Sequence, residues 1–197
     1  MFAVFIPVYA FVLLPARLAL AGDTSRFLQR ASQLQLGVLI CVYFISHVPA
    51  LLMLPLQHHS DPAANVKLLF FFVTVVQLSD VFQYLWGKSL GKRRIAPDVS
   101  PNKTWEGFLG GVASAVAVAA GLSFLTPFGI AAAAAMGLGV CLMGFAGGLV
   151  MSAIKRDAGV KDFGETLPGH GGVLDRVDSI CFAAPVFFHL TRYFFAS

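Results

Sequence analysis

Long apolar stretches constrain the fold of this chain more than any other feature of its sequence. Hydrophobic residues make up 57% of its 197 residues and charged residues only 12%, whereas soluble domains carry about 25% charged residues. One core of a domain this size could not bury so much apolar surface, so a lipid bilayer is expected to solvate the rest. The sequence therefore predicts an integral membrane protein.

Six segments approach the roughly 20 apolar residues that an α-helix needs to cross a bilayer. They are residues 1–21, 34–56, 67–87, 107–128, 129–151 and 177–195. No alternation of apolar and polar residues indicates a strand, and no linker-like stretch divides the chain. We therefore predict an all-α, polytopic membrane bundle of about six transmembrane helices, formed as one domain by residues 1–197.

Basic residues are concentrated in the polar segments 88–106 and 152–176. Because cytoplasmic segments carry the excess of Lys and Arg, both segments are expected in the cytoplasm, and the two spans between them allow this. The six-span topology then places 12 of the 14 Lys and Arg residues on that side. In a bacterium, the protein is expected in the inner membrane with its functional site facing the cytoplasm.

The segment 152–176 and the residues just after it combine carboxylates with cations. Its carboxylates include Asp162, Asp175 and Asp178, and its cations are Lys155, Arg156, Lys161 and Arg176. Asp175 and Asp178 share one helix face at i, i+3 spacing. Grouped carboxylates suit Mg²⁺, and the cations suit phosphate oxygens. The alternative is a lipid-surface loop whose charges pair with each other, which does not explain two carboxylates at the mouth of a span.

A second group of polar residues precedes that segment. Asp80 lies inside the third predicted span, where a charge costs about 2.5–3.5 kcal/mol and normally faces a polar interior or an ion. It is close enough to the cytoplasmic end to share a site with Asp175 and Asp178. The run from Ser100 to Gly107 reads Ser-Pro-Asn-Lys-Thr-Trp-Glu-Gly and suits nucleotide phosphates, although Thr104 or Asn102 could equally cap the next helix.

Pairs of glycines occur in the fourth and fifth spans. Gly107 and Gly111 form one G-x-x-x-G motif, and Gly144 and Gly148 form another. Such pairs allow close approach of helices in lipid. The pattern indicates packing, either within one chain or in a homodimer, and does not require the dimer.

The run from Ser152 to Asp178 resembles the signature of the phosphatidate cytidylyltransferases, also called CDP-diacylglycerol synthases. Its Ser, Lys-Arg, Lys-Asp, Pro-x-His-Gly-Gly and Asp-Arg-x-Asp positions are all present. The blocks 79–92 and 100–107 are similar to upstream motifs of that family, so the resemblance covers residues 79–179. It implies a helical membrane enzyme that makes CDP-diacylglycerol and pyrophosphate from CTP and phosphatidic acid.

The resemblance also implies roles for individual residues. Metal binding falls to Asp80, Asp162, Asp175 and Asp178, with Mg²⁺ as the cation and a second cation left open. Phosphate contacts and catalysis fall to Lys155, Arg156, Lys161, His170 and Arg176. Substrate binding falls to Ser100, Lys103, Thr104, Lys88 and Lys92, with Lys103 on the triphosphate of CTP. His170 would contact a phosphate or fix the glycine-rich turn.

Other interpretations of the sequence remain open at this point. A membrane transporter could use Asp80 in an ion path, but it should show inverted repeats, and none is evident. A scaffold without activity leaves the Asp-Arg-x-Asp helix start unexplained. No nucleic-acid partner is expected. Members of the resembling family have further spans before these motifs, so the chain is expected to be a short variant or a sequence without its N-terminal spans.

Overall fold

The computed structural model describes residues 2–22, 24–56, 61–164 and 172–196. Seven α-helices occur in this part of the chain. They are α1 (Phe2–Leu20), α2 (Phe27–Val38), α3 (Ile45–Ala50), α4 (Ala64–Leu90), α5 (Trp105–Gly121), α6 (Ile130–Asp157) and α7 (Leu174–Phe195). A π-helical turn (Leu39–Phe44) joins α2 to α3, and a 3₁₀ turn (Leu51–Met53) follows. The predicted all-α membrane bundle is confirmed.

Three of the helical stretches are long and apolar enough to cross a membrane. They are Phe27–Met53, Ala64–Leu90 and Ile130–Asp157, and they correspond to the second, third and fifth predicted spans. The stretches Pro7–Leu20 and Trp105–Gly121 are apolar but shorter. Helix α7 corresponds to the last predicted span, with Asp175, Arg176 and Asp178 in its first turns.

The segment between α4 and α5 contains a β-hairpin that the sequence did not reveal. Strands β1 (Arg94–Ala96) and β2 (Ser100–Thr104) pair antiparallel. The Glu106 carboxylate accepts hydrogen bonds from the backbone N–H groups of Lys92 (3.0 Å) and Arg93 (3.1 Å). These donors hold the pKa of Glu106 below its ordinary value. The hairpin is thus tied to the first turn of α5, although its strands are too short and polar to show an alternating pattern.

Thr104 ends the hairpin and begins the next helix. Its hydroxyl accepts a hydrogen bond from the N–H of Gly107 at 3.1 Å, so the predicted cap is confirmed for Thr104 rather than Asn102. The N-cap bond satisfies one of the free donors at the start of α5. As a result, β2 runs directly into α5 with a defined direction.

The hydrophobic core lies in the half of the bundle away from the hairpin. Phe71 and Phe72 of α4 are fully buried, and Phe72 stacks on Phe187 of α7 with ring centroids 4.9 Å apart. At that end, Asn65 donates hydrogen bonds to the carbonyls of Leu51 and Leu54. This larger core therefore closes one end of the bundle, and a smaller apolar cluster of Ile40, Met151 and Cys181 packs nearer the other end.

Helices α4 and α5 approach closely where glycines face α4. A Cβ at Gly107 would lie 2.7 Å from the carbonyl oxygen of Gln83 and 2.8 Å from the Cα of Gly87, and a Cβ at Gly111 would overlap Gln83. Both glycines therefore serve packing within one chain, and they give no argument for a homodimer.

Replacing Gly107 with alanine should push α4 and α5 apart. Because the atoms in the way belong to the backbone of α4, the free energy of unfolding should fall by about 1–3 kcal/mol. Thermal unfolding in detergent measures this. Gly139→Ala is the matched control, since no atom lies within 4 Å of a Cβ there. Equal melting temperatures for the two variants would contradict the close approach.

Candidate active site

A polar cavity of about 290 Å³ opens at the hairpin end of the bundle. Its wall combines α4, β2, the start of α5, the last turns of α6 and the start of α7. The lining residues are Asp80, Gln83, Tyr84, Ser100, Asn102, Lys103, Thr104, Phe108, Phe145, Gly148, Ser152, Asp178 and Ser179. Residues of both basic segments thus meet at one end of the bundle, as the six-span topology predicted from the sequence requires.

Two of the four predicted metal ligands line this cavity. Asp80 comes from α4 and Asp178 from α7, and both line the wall. Ser179 links them: its N–H donates to Asp178 Oδ1 at 2.7 Å, and its side chain also hydrogen-bonds Asp80. The third predicted span and the last one therefore bring Asp80 and Asp178 into one cavity.

Lys103 brings a positive charge into the same cavity. Its Nζ donates to the carbonyl oxygen of Phe145 at 3.3 Å and lies 4.6 Å from the centroid of the Phe145 ring. Burial lowers the pKa of Lys103 below its ordinary value, while the charges of Asp80 and Asp178 act in the opposite direction. The ammonium is therefore held near two carboxylates, partly shielded from solvent.

Ser100 and Thr104 stand on either side of Lys103 in β2 and also line the cavity. The Thr104 hydroxyl already accepts the capping hydrogen bond of α5, but its own proton remains available to a ligand oxygen. The three residues of the 100–107 run that were predicted to bind substrate thus all line the cavity.

Asp175 lies outside the cavity wall, in a different set of contacts. Its Oδ1 forms an ion pair with Lys155 at 2.8 Å, and its Oδ2 accepts hydrogen bonds from the N–H groups of Phe163 (2.8 Å) and Gly172 (3.0 Å). Burial favours the neutral acid, but Lys155 and the two N–H donors outweigh it and hold the pKa of Asp175 below its ordinary value. Asp175 thereby ties the end of α6 and the residues beyond it to the start of α7.

The other predicted residues are exposed at the same end of the molecule and do not line the cavity. They are Lys88, Lys92, Arg156, Lys161, Asp162 and Arg176. His170 lies outside the described residues. Within the described ranges, no group of three or more acidic, His or Cys side chains is close enough to hold a metal ion. Asp80 and Asp178 are the two predicted metal ligands that line the cavity.

Several cavity residues escaped the sequence analysis. Phe108 and Phe145 lie outside the motifs of the sequence, and Gln83 and Asn102 lie within the blocks 79–92 and 100–107 but were not predicted to bind substrate. Gly148 belongs to a G-x-x-x-G pair, which indicates helix packing. Only the fold brings Phe145 and Gly148 close to Lys103.

Comparisons with known proteins agree with these features. A model described as the cytidylyltransferase family matches residues 1–194. YnbB of Escherichia coli, an uncharacterized protein, is 45% identical over 194 residues, which are 98% of this chain and 64% of YnbB. The phosphatidate cytidylyltransferase of Haemophilus influenzae is 38% identical over 163 residues, covering 77% of this chain and 54% of that enzyme.

The enzyme of the same name from Bacillus subtilis is 41% identical over 128 residues, which are 64% of this chain and 48% of that protein. The chain therefore spans about half to two thirds of the length of the curated relatives it matches.

Asp175→Asn tests the structural tie at the start of α7. It leaves the ammonium of Lys155, whose side chain is only 14% exposed, without its counter-charge, so stability should fall by on the order of 3 kcal/mol. Because the folded pKa of Asp175 is lowered, its stabilisation is present above the ordinary value of about 3.9 and is lost as the pH falls through the folded pKa.

Thermal unfolding in detergent from pH 7 down to pH 3 measures both effects. The melting temperatures of wild type and Asp175→Asn should converge at the acidic end. Asp162→Asn is the control, because the Asp162 side chain is exposed. An equal loss of stability in the two variants at pH 7 would contradict the tie.

Proposed function

Since this chain belongs to the cytidylyltransferase family, we propose that it transfers the CMP moiety of CTP to phosphatidic acid, giving CDP-diacylglycerol and pyrophosphate for phospholipid synthesis. The observation that carries the proposal is the shared cavity of Asp80, Asp178 and Lys103 at one end of a membrane bundle. The two carboxylates could hold a metal cation, and the ammonium could contact phosphate oxygens. Both would offset the charge of two polyanionic substrates.

In the proposed reaction, a phosphate oxygen of phosphatidic acid forms a bond to the α-phosphorus of CTP. The bond from that phosphorus to the oxygen bridging to the β-phosphorus breaks, and its electron pair leaves with pyrophosphate. The attacking phosphate is already an anion near pH 7, because its second pKa is about 6. The protein therefore needs no general base, and its task is to align the reactants and offset their charge.

The cavity residues fit a magnesium ion in such a reaction. Mg²⁺ is usually bound by one or two carboxylates together with substrate phosphates, and Asp80 and Asp178 supply two carboxylates on one wall. When bound, Mg²⁺ would offset the negative charge of the phosphates. Asp162 and Asp175 were also predicted as ligands, but Asp175 is occupied by Lys155 and two N–H donors, which favours Asp80 and Asp178.

Lys103 is the proposed contact of the CTP triphosphate, with Ser100 and Thr104 beside it. The exposed cations at the rim, which include Lys88, Lys92, Arg156, Lys161 and Arg176, would attract the two anionic substrates. His170 remains a proposed phosphate contact because it belongs to the Pro-x-His-Gly-Gly part of the family signature.

The proposed site faces the cytoplasm, where CTP is found, and the proposed membrane is the bacterial inner membrane. The distribution of basic residues supports this orientation. The alternative of a transporter rested on Asp80 as part of an ion path. Asp80 instead lies beside Asp178 and Lys103, and the family is one of cytidylyltransferases, so the enzyme is favoured.

Asp178→Asn should reduce the formation of CDP-diacylglycerol by at least about 100-fold, because one of the two cavity carboxylates loses its charge. Purified protein incubated with labelled CTP, phosphatidic acid and Mg²⁺ gives the measurement. Lys67→Ala is the control, since Lys67 pairs with Asp61 (2.7 Å) near the start of α4, at the far end from the cavity. Activity near that of wild type in Asp178→Asn would remove the site assignment.

Removal of divalent cations tests the proposed magnesium independently of mutation. Treatment with EDTA should abolish product formation, and added Mg²⁺ should restore it, since two polyanions cannot approach without a counter-charge. In Asp80→Asn, the Mg²⁺ concentration giving half-maximal activity should rise several-fold. Full activity in EDTA would exclude a divalent cation from the reaction.

A further inference from the structure

The inner surface of α6 has a gap at Gly148 that is filled by a side chain from another element. A Cβ built on Gly148 would lie 2.7 Å from Nζ of Lys103, closer than real Cβ atoms approach any heavy atom. The next atoms, Cε of Lys103 and Oγ of Ser179, lie at 3.8 Å. The ammonium of Lys103 therefore occupies the space that any side chain at position 148 would need.

Phe145, one turn earlier on the same helix, provides the other contacts of that ammonium. Its carbonyl oxygen accepts a hydrogen bond from Nζ at 3.3 Å, and the centroid of its ring lies 4.6 Å from Nζ. A carbonyl oxygen and an aromatic face both attract a cation. One turn of α6 thus gives the Lys103 ammonium a hydrogen-bond acceptor, an aromatic face and, at Gly148, a space without a side chain.

We propose that Gly148 is a positioning residue, and that Phe145 and Gly148 form a lysine seat that holds the Lys103 ammonium in the cavity near Asp80 and Asp178. The inference rests on the proposed function in one respect, namely that Lys103 contacts the triphosphate of CTP. A free lysine has a long flexible stem and would extend into solvent. The lysine seat holds it at the site before the nucleotide arrives, so less freedom is lost on binding.

Gly144 provides a contrast within the same G-x-x-x-G pair. A Cβ at Gly144 would lie 3.5 Å from Cβ of Ser179, which is an ordinary van der Waals contact. Alanine fits at position 144 but not at position 148 without displacement of Lys103. Gly148 therefore leaves space for Lys103, whereas Gly144 does not, although both belong to the same G-x-x-x-G motif.

The first experiment tests the position of Lys103 without any need for catalysis. The full chain in detergent is labelled by reductive methylation, and mass spectrometry follows the labelling rate of Lys103 relative to the exposed Lys88. In Gly148→Ala the rate at Lys103 should rise several-fold, because the ammonium is displaced toward solvent. Gly144→Ala should leave the rate unchanged.

Phe145→Leu gives a second route to the same result, in case Gly148→Ala does not fold. It removes the aromatic face but keeps the carbonyl oxygen and the glycine, so the labelling rate of Lys103 should again rise. An unchanged rate in both variants, or an equal rise in Gly144→Ala, would overturn the lysine seat.

The second experiment is a double-mutant cycle on the formation of CDP-diacylglycerol. Gly148→Ala should raise KM for CTP about tenfold with a smaller change in kcat, and Gly144→Ala should change neither. In the Lys103→Ala background, Gly148→Ala should have no further effect, because the residue acts through Lys103. Multiplying effects in the double variant would show that Gly148 matters for packing alone and would overturn the inference.

The two experiments separate the failure of the inference from the failure of the proposed function. If wild-type protein makes no CDP-diacylglycerol, the proposed function fails, and the labelling rates still decide whether Lys103 occupies the lysine seat. If the enzyme is active but the labelling rates are the same in all variants, the inference alone fails.

Discussion

Two carboxylates lie inside an apolar helical bundle, where a charge is costly, and the polar contacts at this end of the molecule offset that cost. Asp80 lies well inside α4, and Asp178 lies in the second turn of α7. A charge within a membrane-spanning helix costs about 2.5–3.5 kcal/mol. Lys103 and Ser179 offset part of this cost through charge and hydrogen bonds.

The hairpin between α4 and α5 is the means by which Lys103 reaches those carboxylates. Glu106 ties the first part of the hairpin to α5, and Thr104 caps the same helix. Gly87 and Gly107 allow α4 and α5 to approach within contact of each other. A polar segment that looks like an ordinary loop in the sequence is therefore a hairpin, hydrogen-bonded to α5 through Glu106 and Thr104, and it places Lys103 in the cavity.

The signature region divides into two parts with different physical roles. Asp178 lines the cavity, whereas Asp175 pairs with Lys155 and holds backbone N–H groups on both sides of the 165–171 segment. The two carboxylates are only three positions apart along α7, yet Asp178 lines the cavity and Asp175 contacts the end of α6. Asp175 therefore holds the start of α7 to the end of α6, whereas Asp178 is available to the cavity.

The sequence by itself determined the membrane bundle, the meeting of both basic segments at one end and the approach of Asp80 to the start of α7. It left Thr104 and Asn102 open as the cap of α5 and did not separate Asp178 from Asp175. The features that it determined follow from hydropathy, charge and helical spacing, which are local properties of the chain. Only the tertiary structure decided that β1 and β2 form a hairpin, that Asp175 binds Lys155, and that Gly148 accommodates Lys103. Each of these depends on which helix faces which, and in a bundle of similar apolar helices that choice is made by close packing between residues far apart in the chain.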